Sequence, residues 1–352
     1  MTADALFRVL LALAVVIVAG RVMGRAARAV GQPEVIGEVL SGILLGPSLL
    51  GLIAPDAEAY LFPERVKPAL EIIAQTGIVL YMFLVGLEFD SGLLRARAAS
   101  LLVTSQASIA APFALGCALA AALHAGSAPP GISPSVFALF MGVAMSITAF
   151  PVLARILADR GLTRTELGVA ALTCAAINDV MAWCLLAIVV GVSRAMPSTG
   201  VPGELVLAFA AGAVIPCRSA FARVVTARLG GVVRIVLLPA FFALTGLRTQ
   251  ITLVSSAADW LTCSAIVCVA TAGKFGGAAL AGRLSGMSWR FSAQLGALMN
   301  TRGLMELIVL TVGLKAGIIT PRLFTMMVIM AIVTTAMTAP LLELIGEDRG
   351  EQ

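Results

Sequence analysis

Two adjacent residues, Asn178 and Asp179, interrupt a run from Glu166 to Arg194 that is otherwise almost wholly apolar or small. At about 1.5 Å of rise per residue, that run is long enough to cross a bilayer as one helix. A carboxylate near the bilayer midplane is expensive, so it persists where it faces a polar cavity or binds something. Asp179 therefore reads as an ion or proton site, with helix packing as the plainer alternative. Hard monovalent cations want oxygen ligands. The Asp179 carboxylate, the Asn178 amide oxygen, the Thr148 and Ser146 hydroxyls and carbonyls freed beside Pro151 could supply them. One carboxylate that holds either a proton or a monovalent cation produces exchange by competition alone.

Three further charges lie in apolar surroundings. Lys274 sits in AGKFGG and is the one lysine inside an apolar run. It reads as a charge partner of the site, or as a side chain that snorkels to the interface. Arg302 and Glu306 interrupt MNTRGLMELIVL at a spacing of four, so they could balance charge at the site or simply pair with each other. Glu38 and Glu88 are weaker candidates, Glu88 because it lies near a helix end. His124, the lone histidine, stands at a loop edge, where a pH-sensing role is the lesser reading. The six cysteines form no CxxC pair and read as small core residues. No HExxH is present, and a lone histidine with one central Asp builds no familiar hydrolytic pair. The chain reads as a transporter rather than an enzyme, with no cofactor.

The elements that must position these residues are membrane helices. Of the 352 residues, 60% are hydrophobic and 12% charged, about half the charged fraction of a soluble domain. The net charge of +5 lies in short arginine clusters between apolar runs, which is a pattern of membrane orientation and not of nucleic-acid binding. Apolar segments are expected at about 5–23, 33–53, 66–87, 93–123, 134–157, 166–194, 204–215, 232–247, 257–280, 291–314 and 323–345. The first carries no small-residue cleavage site and is expected to be retained. The stretch 216–230, with Arg218, Arg223 and Arg228, is expected to lie at the interface. Pro151 should break the fifth segment near Thr148, and the polar cluster with Gly303 should break the tenth. Arginine clusters follow alternate segments, which places the N-terminus outside and the C-terminus in the cytoplasm of a cell-membrane protein.

The chain also repeats itself. FLVGLEFD (83–90) is echoed by FALTGLRTQ (242–250), and the two broken segments correspond. A unit of five spans, at about 33–194 and again at about 204–345, inserts its second copy inverted. Inverted repeats with paired broken helices mark a secondary transporter whose site lies at the midplane.

SITAFPVLARIL, the Asn178-Asp179 helix, AGKFGG and MNTRGLMELIVL, in that order, resemble the monovalent cation:proton antiporter-2 family, above all its plant-type exchangers and their bacterial relatives. The resemblance covers nearly the whole chain. It implies an all-α polytopic fold like that of sodium/proton antiporters, with two crossing broken helices in a core that moves against a dimerisation domain. It also implies a homodimer in the lipid bilayer that exchanges Na+ or K+ for H+. Asp179 would take either cation or proton, and Asn178 occupies a position that is Asp in many electrogenic relatives. Thr148 falls at the first break, Lys274 matches the basic residue beside the site, and Arg302 and Glu306 lie at the second crossing. Relatives have about thirteen spans. The eleven here lack the two that would fall between the sixth and seventh segments, which leaves open a shortened, partner-dependent or inactive homologue. A gated potassium-efflux channel is the other alternative.

Overall fold

The computed structural model describes residues 3–88, 98–163, 165–192, 207–208, 210–212, 214–216 and 219–346. The expected linker 195–203, Arg95, Arg97, Arg164, Arg218, parts of the seventh segment and the Glu88 side chain lie outside the described residues.

Every regular element among the described residues is helical. In chain order they are α1 (Ala3–Ala29), α2 (Glu34–Leu45), α3 (Leu50–Ile53), α4 (Pro55–Leu61), α5 (Lys67–Glu88), α6 (Ala98–Ser127), α7 (Pro134–Ser146), α8 (Phe150–Asp159) and α9 (Glu166–Val192). There follow α10 (Ala220–Val232), α11 (Leu238–Arg248), α12 (Ala257–Thr271), α13 (Gly277–Leu284), α14 (Trp289–Met299), α15 (Leu304–Lys315) and α16 (Pro321–Ile345). π turns at Val233–Leu237 and Ala272–Gly276 join α10 to α11 and α12 to α13.

Among the described residues, eight helical runs are long and apolar enough to cross a membrane. The two broken segments add four half-helices, α7 with α8 and α14 with α15, each too short to cross alone. One boundary differs from expectation. The expected boundary between 216–230 and the eighth segment is not a break, because α10 continues through its π turn into α11 without a stop. A π turn takes up an extra residue and shifts the helical period. The pattern therefore changes at a point where the backbone does not break.

The chain forms two compact units, each drawing one stretch from either half. The first contains 1–90 and 200–253. Its core joins Val9, Ala12 and Val16 of α1 to Phe62, Val66, Leu70, Ala240 and Ala243. Here α2 and α11 touch backbone to backbone. A Cβ on Gly42 would stand 2.1 Å from the Ala243 carbonyl oxygen, and one on Gly246 2.3 Å from that of Val39. Small residues allow such contact where bilayer lipid removes the usual hydrophobic drive between helices. Ion pairs Arg28–Glu34 and Arg248–Glu71 close this unit's polar edges.

The second unit contains 91–199 and 254–352. Leu101 of α6, Leu153 and Leu157 of α8, Ala171, Cys174 and Ala175 of α9, Ala278 of α13 and Leu295 to Met299 of α14 share its core. All the candidate charges named above, apart from Glu38 and Glu88, belong to this unit.

Replacing Gly42 with Ala forces α2 and α11 apart. The expected loss is about 1–3 kcal/mol, the usual cost of overpacking. Gly126 has open space at its Cβ position, and Gly126→Ala should stay within about 0.5 kcal/mol. Thermal melting of the detergent-extracted variants checks both.

Candidate functional site

The site begins with two interrupted helices. α7 stops at Ser146, Ile147 and Ala149 are extended, and α8 starts at Phe150 with Pro151 in its first turn. Proline fits there because an N–H in the first turn has no helical acceptor. α14 stops at Met299, and α15 resumes after Gly303. A Cβ at Gly303 would meet the Val152 side chain at 2.7 Å, so glycine lets the second break come against the first turn of α8. The two breaks bond directly. Ala149 N–H donates to the Thr301 carbonyl at 3.1 Å, and the Thr148 hydroxyl donates to the Met299 carbonyl at 3.2 Å.

Breaking two helices in a bilayer leaves four helix ends with unmatched N–H or C=O groups and a partial charge at each. The last carbonyls of α7 receive cations. Arg302 Nη1 donates to Ala144 at 3.2 Å and Nη2 to Met145 at 2.7 Å. Lys274 Nζ donates to the Ser146 carbonyl, and to that of Ser108 at 3.0 Å. The N-terminal ends receive carboxylates. Glu306 stands in the first turn of α15, and Asp179 lies near the Phe150 amide that opens α8 without forming a hydrogen bond to it. Arg302 also pairs with Glu306 at 3.2 Å, and both side chains are fully buried. The expected pair at a spacing of four therefore exists, and it also reaches across to α7.

Asn178 is held rather than free. Its amide lies 2.8 Å from the Ser105 hydroxyl, 2.9 Å from that of Ser108 and 3.2 Å from that of Thr148. Its nitrogen donates to the Ser108 and Thr148 hydroxyls and its oxygen accepts from Ser105, which leaves the Thr148 proton for the Met299 carbonyl. Asn178 thus ties α6, α9 and the first break together. Asp179, one residue on, is 4% exposed. Among the described residues, neither of its oxygens has a hydrogen-bond partner. A carboxylate buried this way is poised for a proton or a cation.

The remaining candidates fall as follows. The Ser146 hydroxyl turns back to the Val143 carbonyl at 2.9 Å, so this residue meets the site through its backbone oxygen. Lys274 lies on the π turn between α12 and α13, where the widened turn carries it fully buried into the unit. His124 bonds the Ile132 carbonyl at 3.0 Å and packs edge-on against Phe137, closing a loop. Glu38 belongs to the first unit. Sequence reasoning passed over Ser105 and Ser108. The signal was present in TSQAS (104–108), where Thr104, Ser105 and Ser108 fall on one helix face; all three are buried and Gln106 is exposed.

Known proteins give the same picture of the fold. The model of the sodium/hydrogen exchanger transmembrane family matches residues 10–207 and 200–344. The Na(+)/H(+) antiporter NhaS4 of Synechocystis sp. is 38% identical over 97% of this chain and 98% of its own length. That alignment runs over 400 positions against a chain of 352, so the relative carries segments missing here. The K(+)/H(+) antiporter 1 of Saccharomyces cerevisiae is 33% identical over 90% of this chain. Cation/H(+) antiporter 18 of Arabidopsis thaliana is 35% identical over 94%. The chain spans 44% and 48% of those two relatives. Among solved structures, the sodium proton antiporter MjNhaP1 of Methanocaldococcus jannaschii superposes with a TM-score of 0.65 at 15% identity, covering 97% of this chain and 100% of that one.

Removing Glu306 leaves a buried guanidinium without its counter-charge. Glu306→Ala should destabilise the protein by about 3–5 kcal/mol, and the double replacement Arg302→Met with Glu306→Leu should recover a large part of that. Melting in detergent separates the two cases; equal losses would show that the cost does not come from the unpaired charge.

Proposed function

Because this chain belongs to the sodium/hydrogen exchanger family, we propose that it is a secondary active antiporter that exchanges Na+ or K+ for H+ across the cell membrane. The observation that carries this is Asp179, buried with both carboxylate oxygens unpartnered among the described residues. Proton and cation compete for it in alternating access. Relatives named for sodium and for potassium exchange both align over most of the chain, in keeping with either ion.

In this reading the Thr148 hydroxyl and the carbonyls at the first break complete the cation's oxygen shell. Asn178 holds Asp179's helix against α6 and the break. Lys274 and Arg302 neutralise the end of α7, and Glu306 balances Arg302. With Lys274, Arg302, Glu306 and Asp179 all ionised, the cluster is neutral. One proton or one monovalent cation then brings it to the same charge. Exchange of one for one is therefore electroneutral, provided Lys274 keeps its proton through the cycle.

The protein is a multi-pass membrane protein. Its N-terminus is proposed to lie outside and its C-terminus in the cytoplasm, with eleven spans made of inverted repeats at about 33–194 and 204–345. The family match falls in two parts that meet at 200–207, in keeping with the loss of two spans at that point. A homodimer, as the family resemblance implies, completes the proposal.

In everted vesicles carrying a pre-formed pH gradient, sodium or potassium should collapse the gradient for wild type. Asp179→Asn should abolish that response while the protein level stays unchanged. Steady cation current without a proton gradient would mark a channel instead. In proteoliposomes, an imposed membrane potential should leave the turnover rate unchanged; voltage-driven turnover would show that Lys274 also cycles its proton.

A further inference from the structure

Arg302 lies in the second break, where its own backbone N–H and C=O have no helical partners. Both groups go to a single atom. Arg302 N–H donates to Thr335 Oγ1 at 2.9 Å, and Thr335 Oγ1 donates to the Arg302 carbonyl at 2.7 Å. Thr335 is 1% exposed, on α16. Its neighbours use their hydroxyls differently. Thr334 turns back to the Met330 carbonyl at 2.8 Å, and Thr338 to the Thr334 carbonyl at 3.3 Å, the usual habit of threonine within a helix. Thr335 gives its hydroxyl to the second break instead.

α16 holds the rest of the break as well. Its Thr334 carbonyl accepts from Asn300 at 3.4 Å, and the Thr338 hydroxyl lies 3.4 Å from that of Thr301. At its far end Glu343 pairs with Arg160, just past α8, at 2.8 Å.

We propose that Thr335 is a positioning residue for cation exchange: it locks the backbone of Arg302 so that the guanidinium stays on the last carbonyls of α7 and the second break stays against the first. The chain of contacts is explicit. Thr335 fixes residue 302, the adjoining Thr301 carbonyl holds Ala149 N–H, and Thr148, one residue before, reaches both Met299 and Asn178 beside Asp179. Without the hydroxyl, two buried backbone groups lose their partner in an apolar interior, and the break must shift to find others. The cation's ligands are then no longer pre-placed, so binding weakens before turnover does.

The inference rests on the antiport reading above. The test uses the full chain in proteoliposomes, measuring half-saturating cation concentration and maximal rate with NaCl and with KCl. Thr335→Val is nearly isosteric and removes the hydroxyl; Thr335→Ser keeps it. The half-saturating concentration should rise about tenfold in Thr335→Val, the size of one to two lost hydrogen bonds. Thr335→Ser should stay within about twofold of wild type, since the bonds are retained. A Val variant with wild-type half-saturation and only a lower maximal rate overturns the positioning role. If the Val variant does not reach the membrane, Thr335→Cys takes its place, because a thiol bonds weakly. An intermediate rise is then expected, and an unchanged half-saturation overturns the proposal. Wild type silent with both salts would instead count against the antiport reading itself.

Discussion

Four helix ends meet inside the second unit, and each brings backbone groups that water cannot reach. In a bilayer an unmatched N–H or carbonyl is more expensive than in a soluble core, because no solvent stands ready to replace a lost partner. Most of the polar chemistry of this unit answers that constraint. Arg302 and Lys274 cover the end of α7, Glu306 stands at the start of α15, and Asp179 lies opposite the start of α8. Cations face carbonyl ends and carboxylates face amide ends, as the helix dipole requires. Of these four charges, Asp179 is the one whose oxygens have no hydrogen-bond partner among the described residues. The same arrangement that makes broken helices tolerable therefore leaves one carboxylate available.

The two units solve different problems with different residues. The first brings helices together through glycine, at Gly42 and Gly246, where carbonyl oxygen meets Cα across the interface. Such contact needs no directional chemistry, only the absence of side chains. The second is organised by hydrogen bonds between hydroxyls, amides and backbone, with Ser105 and Ser108 of α6 meeting α9 and Thr335 of α16 meeting the second break. Glycine serves there too, where Gly303 admits Val152, Gly273 meets Pro112 and Gly313 meets Phe140.

Much of this was legible from the chain alone. The helix with Asn178 and Asp179, the break before Pro151, the second break near Gly303 and the pairing of Arg302 with Glu306 all follow from local rules. A charge in an apolar run, a proline in a span and a spacing of four each constrain the outcome within a few residues. What escaped notice depends on distant partners. Ser105 is tied to Asn178 across 73 positions and Thr335 to Arg302 across 33, and serine or threonine in a membrane helix more often bonds its own preceding turn. Only the fold shows which hydroxyls do otherwise. The π turn at 233–237 misled for a related reason, since it alters the period without ending the helix.

The bond from Ala149 to Thr301 has a mechanical meaning. It resembles one rung of a β-ladder, set between two stretches of unwound chain at the heart of a helical unit. A side-chain bond, from the Thr148 hydroxyl to the Met299 carbonyl, lies beside it. Two short bonds in a medium without competing water resist shear between the unwound stretches they join. In the proposed exchange, a motion that turned Asp179 from one side of the membrane to the other while keeping both bonds would carry the two interrupted helices together, with its hinges outside them.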